Sequence, residues 1–474
     1  MQLSPAKRKA IRQLVLLDYV AAALAWFTLW MYRQHVLTHV SYVDTLKHFH
    51  PRDIINTIII IPCGWFFAYL MSGTYFDLYR KSRLNEINRT LISCIIGCIL
   101  VSVIVFANDS SDYSYFINEF GHYLLIHTVF ALFFRLFILY RVKTNLTSGK
   151  VGFNTLIIGG NQQAINIYKQ VLDNPKVLGN IFAGFIYSNK ESTNGMTKFL
   201  PQLGHLSQLE EIIDQHKIEE VIVAVDSSEH HLLENIVTRL CYRPVVVKVL
   251  PDYYDIISGS VKTSNVYDAV LIHIHPDLMP DWQRVWKRVL DIFFSSLALI
   301  LLSPLLLFTA IMVLFSSKGS IIYRQERVGR FGRPFYIFKF RSMYMGSEST
   351  GPALSSKADP RITTWGRFMR KWRIDELPQF VNIIKGEMSL VGPRPERKHY
   401  IDIISQSHAH YKYLHKVKPG LTSWGMVQFG YAENVDEMIE RMKYDLLYIE
   451  NCSLALDVKI ILYTFMVIFQ GRGK

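Results

Sequence analysis

The sequence predicts a membrane protein of mixed α and α/β class: four N-terminal transmembrane helices, a Rossmann-like middle domain, and a C-terminal region headed by a re-entrant membrane helix. Three observations predict it. Four apolar runs, each near the length of a membrane span, precede residue 150. Short β-like runs then alternate with helical ones between residues 152 and 275. Finally, a long apolar stretch at 289–315 is interrupted near its middle by Ser303-Pro304. The expected domains are 1–150, 151–280 and 281–474.

The apolar runs lie at 13–32, 54–75, 89–107 and 122–140. Each approaches the roughly 20 residues that a helix needs to cross about 30 Å of hydrocarbon. The first is too long for a signal peptide, and no small-residue cleavage site follows it. Loop charge sets the orientation. Lys7, Arg8, Lys9 and Arg12 precede the first run, and Arg80, Lys81, Arg83 and Arg89 follow the second. Residues 108–121 carry no Lys or Arg, whereas Arg141, Lys143 and Lys150 follow the fourth run. Both ends of the unit are therefore expected on the cytoplasmic side; Arg33, Lys47 and Arg52 in the first loop fit less cleanly. Asp18 and Arg135 fall inside apolar runs, where a function or a pairing within the bundle is expected for each.

Half of the 474 residues are apolar and the net charge is +13. That excess suits phosphorylated substrates or lipid headgroups. With no aromatic-rich binding module beside it, nucleic acid is not an expected partner. Cys63, Cys94, Cys98, Cys241 and Cys452 show neither zinc-type spacing nor an even framework, which reads as a reduced, cytoplasm-facing chain.

In the middle region, β-like runs at 154–158, 181–187, 220–225 and 245–250 alternate with helical stretches at 164–171, 206–216 and 230–240. This pattern implies a parallel sheet. The turn Gly159-Gly160-Asn161-Gln162-Gln163-Ala164 matches a dinucleotide fingerprint only in part, because Asn161 replaces the glycine that lets backbone approach a pyrophosphate. A degenerate, structural or regulatory version of the fold is the expectation.

Residues 289–315 would reach about 40 Å as a straight helix, enough to cross. Both flanks are basic, however, with Arg284, Lys287 and Arg288 before and Lys318 and Arg324 after. Pro304 also removes a helix donor and clashes with the preceding turn. A helix–break–helix that enters and leaves by one face satisfies both facts. The terminal apolar stretch, 459–469, is too short to span.

The chemistry-bearing residues cluster between 287 and 430. The run from Tyr323 to Pro334 and the following Lys339 and Arg341 are basic, with interleaved glycines and aromatics. Asp375-Glu376 sits among Arg367, Arg370, Lys371 and Arg373. Cationic surroundings favour ionised carboxylates, leaving one available as a nucleophile while the other helps to hold a divalent cation. Such a pair is, in isolation, most often a surface salt-bridge cluster. Arg394 lies between Pro393 and Pro395, which stiffen its backbone and suit its guanidinium to a phosphate.

These residues resemble the bacterial sugar transferases, the monotopic polyprenyl-phosphate phosphosugar transferases. The resemblance covers 281–473 and rests on Lys287-Arg288-x-x-Asp291, Ser303-Pro304, the Arg324–Gly329 and Lys339–Met343 segments, and Asp359-Pro360-Arg361. It continues through Asp375-Glu376-Leu377-Pro378-Gln379, Gly392-Pro393-Arg394-Pro395 and Lys418-Pro419-Gly420. It implies a re-entrant helix joined to a small α-rich catalytic domain in the bacterial inner membrane, multi-pass, with catalysis on the cytoplasmic face. The implied reaction has Asp375 attack the β-phosphate of a UDP-sugar, releasing UMP, after which undecaprenyl phosphate takes the phosphosugar. Such a step initiates exopolysaccharide, capsule or O-antigen synthesis. Mg²⁺ at Asp375 and Glu376 is implied, as are substrate contacts from Lys339, Arg341, Arg361 and Arg394. Lys287, Arg288, Asp291, Ser303 and Pro304 would anchor the re-entrant helix. Glucose or galactose is the default sugar, and a homodimer a further expectation. Arg373 stands where members often carry Ser or Thr, and the segment after Gly420 departs from the family pattern, so the resemblance does not carry a particular sugar. The alternative is a non-catalytic membrane scaffold or regulator of polysaccharide export.

Overall fold

The computed structural model describes residues 4–38, 44, 50–105, 113–173, 179–187, 195–225, 230–240, 243–250, 272–274, 279–347, 359–430 and 432–469. Lys47, Cys241 and the first part of the loop at 108–121 lie outside these residues. The chain forms two compact units: Met1–Gly152 with Asn174–Gly179, and Phe153–Asp173 with Asn180–Lys474.

The first unit holds four helices, α1 (Pro5–Thr38), α2 (Pro51–Met71), α3 (Arg83–Val105) and α4 (Tyr113–Thr147), all long and apolar enough to cross a membrane. Within α2, Asn56–Ile60 is π-helical. Pro62 lies just beyond and lacks the N–H that would bond Ile58; the freed Ile58 carbonyl instead accepts from the Tyr19 hydroxyl. Cys94 and Cys98 are fully buried.

The two charges inside the apolar runs meet each other. Arg135 donates from Nε and Nη2 to the two oxygens of Asp18 at 2.9 and 3.0 Å, and from Nη1 to Thr90 Oγ1 at 2.8 Å. Glu86 approaches the same guanidinium at 3.6 Å. The Tyr69 ring covers it at 3.8 Å. Asp18 and Arg135 are each 1% exposed, so neither charge has water to fall back on.

The middle domain is a six-stranded sheet of β1 (Phe153–Ile158), β2 (Asn180–Tyr187), β3 (Gln202–His205), β4 (Glu220–Val223), β5 (Val246–Val249) and β6 (Ile272–Ile274). The order is β3-β2-β1-β4-β5-β6, parallel except for β6. Helices α5 (Gln162–Asp173), α6 (Leu209–Gln215) and α7 (His230–Leu240) connect the strands. β4 and β5 are buried along their whole length, and the two charges among their apolar residues, Glu220 and Lys248, pair with each other at 2.7 Å. β3 and β6 escape sequence reading because β3, Gln-Leu-Gly-His, is polar at both ends and contains Gly204, and β6 is only three residues long. At the fingerprint turn, Gly159 takes φ +131°, and a side chain there would strike the Ala224 carbonyl. Asn161 accepts the Ala164 N–H at 2.9 Å, so its side chain caps α5 where a pyrophosphate would need bare backbone.

The C-terminal part starts with α8 (Asp281–Leu301) and α9 (Ser303–Ser316), bent by 64° at Leu302. Counted as one span, the pair would be a fifth crossing. Ser303 Oγ donates to Ile300 O at 2.7 Å and Pro304 opens the second helix, so the break needs no ladder bond that proline would remove. The hairpin of β7 (Ile322–Val328) and β8 (Pro334–Phe340) follows, then α10 (Thr364–Lys371), α11 (Gln379–Lys385), β9 (Ser389–Val391), α12 (Lys398–Ser407) and β10 (Gly420–Thr422). The chain ends with α13 (Trp424–Gln428), α14 (Val435–Glu450) and α15 (Leu454–Phe469). The last helix is longer than the apolar stretch suggests, because it begins at Leu454, yet it is not among the candidate spans.

Arg135→Met would strip Asp18 of its bidentate partner in the bundle, while Glu86 keeps Lys81 at 3.2 Å. Removing one member of a buried ion pair costs about 3–5 kcal/mol. The expected outcome is a clear drop in thermal unfolding temperature in detergent with loss of the monodisperse peak. A melting curve identical to the parent's would show that the pair is dispensable.

Candidate active site

Asp375 and Glu376 sit on a 3₁₀ turn, Ile374–Glu376, wedged between α10 and α11. Arg373 starts the turn in the left-handed region, φ +55° and ψ +24°. A non-glycine residue there stores roughly 1–3 kcal/mol of strain, which the surrounding packing must hold. Pro378 follows and preorganises α11. Both carboxylates are 8% exposed and line a cavity of about 830 Å³.

The two acids have different surroundings. Glu376 Oε1 accepts from Lys339 Nζ at 2.8 Å and Arg394 Nη2 at 3.4 Å, and Arg373 lies 3.9 Å from Oε2. Burial would push its carboxyl up, but Lys339, Arg394 and Arg373 together hold it well below the usual range. Among the described residues none forms a salt bridge with Asp375. Burial, and then the charge on Glu376, push its carboxyl up, against the pull of Lys339 and Arg370. The sequence suggests that the cationic setting favours ionisation throughout; the geometry concentrates that benefit on Glu376. Burial likewise pushes Lys339 down, with Glu376 opposing.

Each of the other sequence-nominated residues has a definite place. Lys339 comes from β8, paired with Tyr323 of β7, and reaches Glu376 on the 3₁₀ turn. Arg341 spends its guanidinium on the end of α9: it donates to Ser317 Oγ at 3.1 Å, to Val313 O at 3.2 Å, and to the carbonyls of Ser317 and Ser320. It caps this helix from the cavity wall. Arg361 forms a fork with Asp359, at 2.6 Å from Nη2, and is not among the residues lining the cavity. Arg394 lines the cavity, between Glu376 and Glu396.

The anchoring set acts as a unit. Lys287 Nζ donates to Asp457 Oδ2 at 2.5 Å and Val391 O at 3.0 Å. Arg288 donates to Ile383 O and Ile384 O at 2.6 and 2.7 Å, capping α11. Asp291 Oδ1 accepts from Leu390 N at 3.0 Å. Asp445 and Tyr448 are structural too: Asp445 accepts from Gly425 N at 2.9 Å and Tyr448 donates to Asp457 at 2.7 Å.

The two turn motifs meet through backbone. β9 and β10 pair in parallel, and Gly420 N donates to Pro393 O at 2.9 Å. A Cβ on either Gly392 or Gly420 would collide with the opposite chain, which is why both turns carry glycine. This contact sets the height at which Arg394 enters the cavity.

Three residues escaped sequence reading. Glu396 is buried and faces Arg327, Arg441 and Arg394. Burial would raise its carboxyl, but Arg441, Arg327 and Arg394 hold it below the usual range. Arg441 on the buried face of α14 was the available signal, since a cation there needs a partner. Asn382 bonds the hairpin to α11, accepting from Phe338 N at 3.0 Å and donating to Tyr336 O at 2.7 Å. The cavity wall carries nine Arg or Lys residues against four Asp or Glu, a surplus suited to a polyanionic ligand.

Residues 282–471 match the family model described as bacterial sugar transferase, and residues 71–251 match one described as a CoA-binding domain. The undecaprenyl-phosphate galactose phosphotransferase of Salmonella typhimurium is 30% identical over 91% of this chain and 91% of its own length. The chain belongs to the bacterial sugar transferase family. The UDP-N-acetylgalactosamine-undecaprenyl-phosphate N-acetylgalactosaminephosphotransferase of Aeromonas hydrophila is 38% identical over 51% of the chain. The UDP-glucose:undecaprenyl-phosphate glucose-1-phosphate transferase of Escherichia coli is 34% identical over 56%. In these two the match spans only 56% and 58% of the relative's own length. Within the family match lie the Asp375-Glu376 turn, the hairpin and all three anchoring charges of α8. The membrane bundle and most of the α/β domain precede it.

Asp445 provides a pH test of this scaffold. Burial pushes its carboxyl up to about 6, against the pull of Arg441. A folded-state value above the unfolded one, near 3.9, gives stability that is complete below the unfolded value and lost as pH rises through the folded one. Asp445→Asn keeps an oxygen for Gly425 and loses the titration. Its melting temperature should exceed the parent's near pH 7.5, with the gap closing toward pH 5. A gap that does not change with pH would contradict the assignment.

Proposed function

We propose that this protein transfers a sugar-1-phosphate from a UDP-sugar to undecaprenyl phosphate, releasing UMP, at the cytoplasmic face of a bacterial inner membrane. One observation carries the reading: in a cationic cavity large enough for a nucleotide sugar, Glu376 is clamped by Lys339 and Arg394, while Asp375, beside it, is held by no salt bridge among the described residues. The activities named for the relatives support it.

Asp375 serves as nucleophile. One of its oxygens forms a bond to the β-phosphorus while the bridging α,β oxygen–phosphorus bond breaks and UMP leaves. An oxygen of the polyprenyl phosphate then attacks the same phosphorus, the Asp375 oxygen departs as carboxylate, and a polyprenyl diphosphate sugar results. Lys339 and Arg394 face the anionic phosphates and offset the repulsion between nucleophile and substrate. Mg²⁺ fits the donor set, since this ion uses one or two carboxylates plus phosphate oxygens. Asp375, with Glu376 beside it, would hold the ion, which supplies charge neutralisation at the diphosphate.

The bent pair α8–α9 is read as re-entrant, entering and leaving by the cytoplasmic face. Its 64° bend and the basic residues on both flanks support this. The intact Asp375-Glu376 pair counts against a pure scaffold, and the Asn161 cap counts against a dinucleotide-dependent enzyme. A homodimer and a role in initiating exopolysaccharide, capsule or O-antigen synthesis belong to the same reading.

Purified protein incubated with undecaprenyl phosphate, Mg²⁺ and a panel of UDP-sugars is expected to release UMP with one sugar favoured. Release of UDP would mean ordinary glycosyl transfer and would sink the mechanism. Asp375→Asn should lower turnover by at least about 1,000-fold, and retained activity would remove Asp375 as nucleophile. For topology, a cysteine at Lys318 should react with a membrane-impermeant maleimide only in inside-out vesicles. Labelling from the periplasmic side would mean that α8–α9 crosses.

A further inference from the structure

Glu396 faces three guanidinium groups. Arg441 reaches it from α14 at 2.7 Å, Arg327 from β7 at 3.2 Å, and Arg394 Nε stands 4.0 Å away. Arg394 is shared, because its Nη2 also lies 3.4 Å from Glu376. An unbroken series of ion pairs thus runs along the cavity wall: Arg441, Glu396, Arg394, Glu376, Lys339. The prolines either side of Arg394 fix its backbone but leave its side chain to be aimed by its partners, these two carboxylates and Met426 Sδ, to which Nη1 donates at 3.5 Å. The backbone of Glu396 is itself pinned, since its carbonyl accepts from Val328 N at 3.1 Å.

The balance between the two acids depends on Arg441. With Arg441 seated, Glu396 is occupied at Oε1 and holds Arg394 only loosely. Without it, Glu396 gains an open acceptor beside Arg394 and draws that guanidinium away from Glu376. Without Glu396, Arg327 and Arg441 repel Arg394 at close range in a site of low dielectric. We propose that Arg441 and Glu396 are positioning residues, through which α14 aims Arg394 at Glu376 and at the phosphate beside Asp375. The proposal rests on the transferase reading above. It gives α14, which carries no residue of the catalytic turn, a direct influence on the reaction.

The test is a double-mutant cycle on UMP release by the full-length protein, with undecaprenyl phosphate, Mg²⁺ and UDP-glucose, UDP-galactose or the UDP-N-acetylhexosamines as probes. Arg441→Met is expected to lower kcat/KM by about ten-fold or more, and Arg441→Lys by less. Arg394→Met lowers it as well. The decisive result is the double variant Arg394→Met/Arg441→Met, expected within about two-fold of Arg394→Met alone, because Arg441 acts only through Arg394. Glu396→Asp should keep more activity than Glu396→Gln. Lys443→Ala, on the exposed face of the same helix, should match the parent. If Arg441→Met does not fold, the same cycle run with Arg441→Lys decides. Losses that multiply in the double variant while the parent releases UMP overturn the inference alone. A parent that releases no UMP from any probe overturns the transferase reading and the inference with it.

Discussion

Three polar side chains on α8 hold the C-terminal half together. Lys287, Arg288 and Asp291 lie within two turns of α8 and bond to backbone atoms of two segments: Lys287 and Asp291 hold β9 at Val391 and Leu390, and Arg288 holds the end of α11. In an otherwise apolar helix these groups would be costly unless satisfied, and backbone carbonyls and amides satisfy them. The segments they seize flank the two acids and Arg394: α11 follows the Asp375-Glu376 turn directly, and β9 leads into Arg394. α8 therefore fixes where both halves of the cavity wall stand relative to it.

Charge inside the cavity follows the same economy. Nine cations in one wall would repel each other unless carboxylates were distributed among them. Glu376 and Glu396 do this, each taking two or three partners, and Arg394 links them. Asp375 stays outside the network, with no salt bridge among the described residues, and lines the cavity. The left-handed Arg373 just before it keeps the turn tight enough for the two adjacent acids to point into one cavity with different surroundings.

In the N-terminal unit, Asp18 and Arg135 solve a different problem with the same chemistry. A charge in each of two apolar helices is tolerable only if they meet, and their bidentate contact, with Thr90 and the Tyr69 ring beside it, joins the first and last helices of the bundle. Pro62 and the π-helical turn before it show the complementary case, in which a missing backbone donor is answered by a tyrosine hydroxyl from a neighbouring helix.

Much of this was legible in the residues alone. Apolar run length determined the four long helices, alternation determined β1, β2, β4 and β5, and Ser303-Pro304 determined the break. Each of these is a local property, set by the period of side chains or by one missing donor. The motif order also singled out Asp375, Glu376, Lys339 and Arg394. Roles that depend on partners far along the chain were not legible. Arg341 and Arg394 look alike as basic residues in motifs, yet one caps α9 and the other reaches Glu376, because only the fold decides which carbonyls or carboxylates lie within 3.5 Å of a guanidinium. The same holds for Glu396 and Arg441, 45 positions apart. The sequence by itself determined which segments are apolar, extended or broken, since those follow from local periodicity. The tertiary structure alone decided which charge answers which, because electrostatic partnership depends on distance in space and on the water that packing removes.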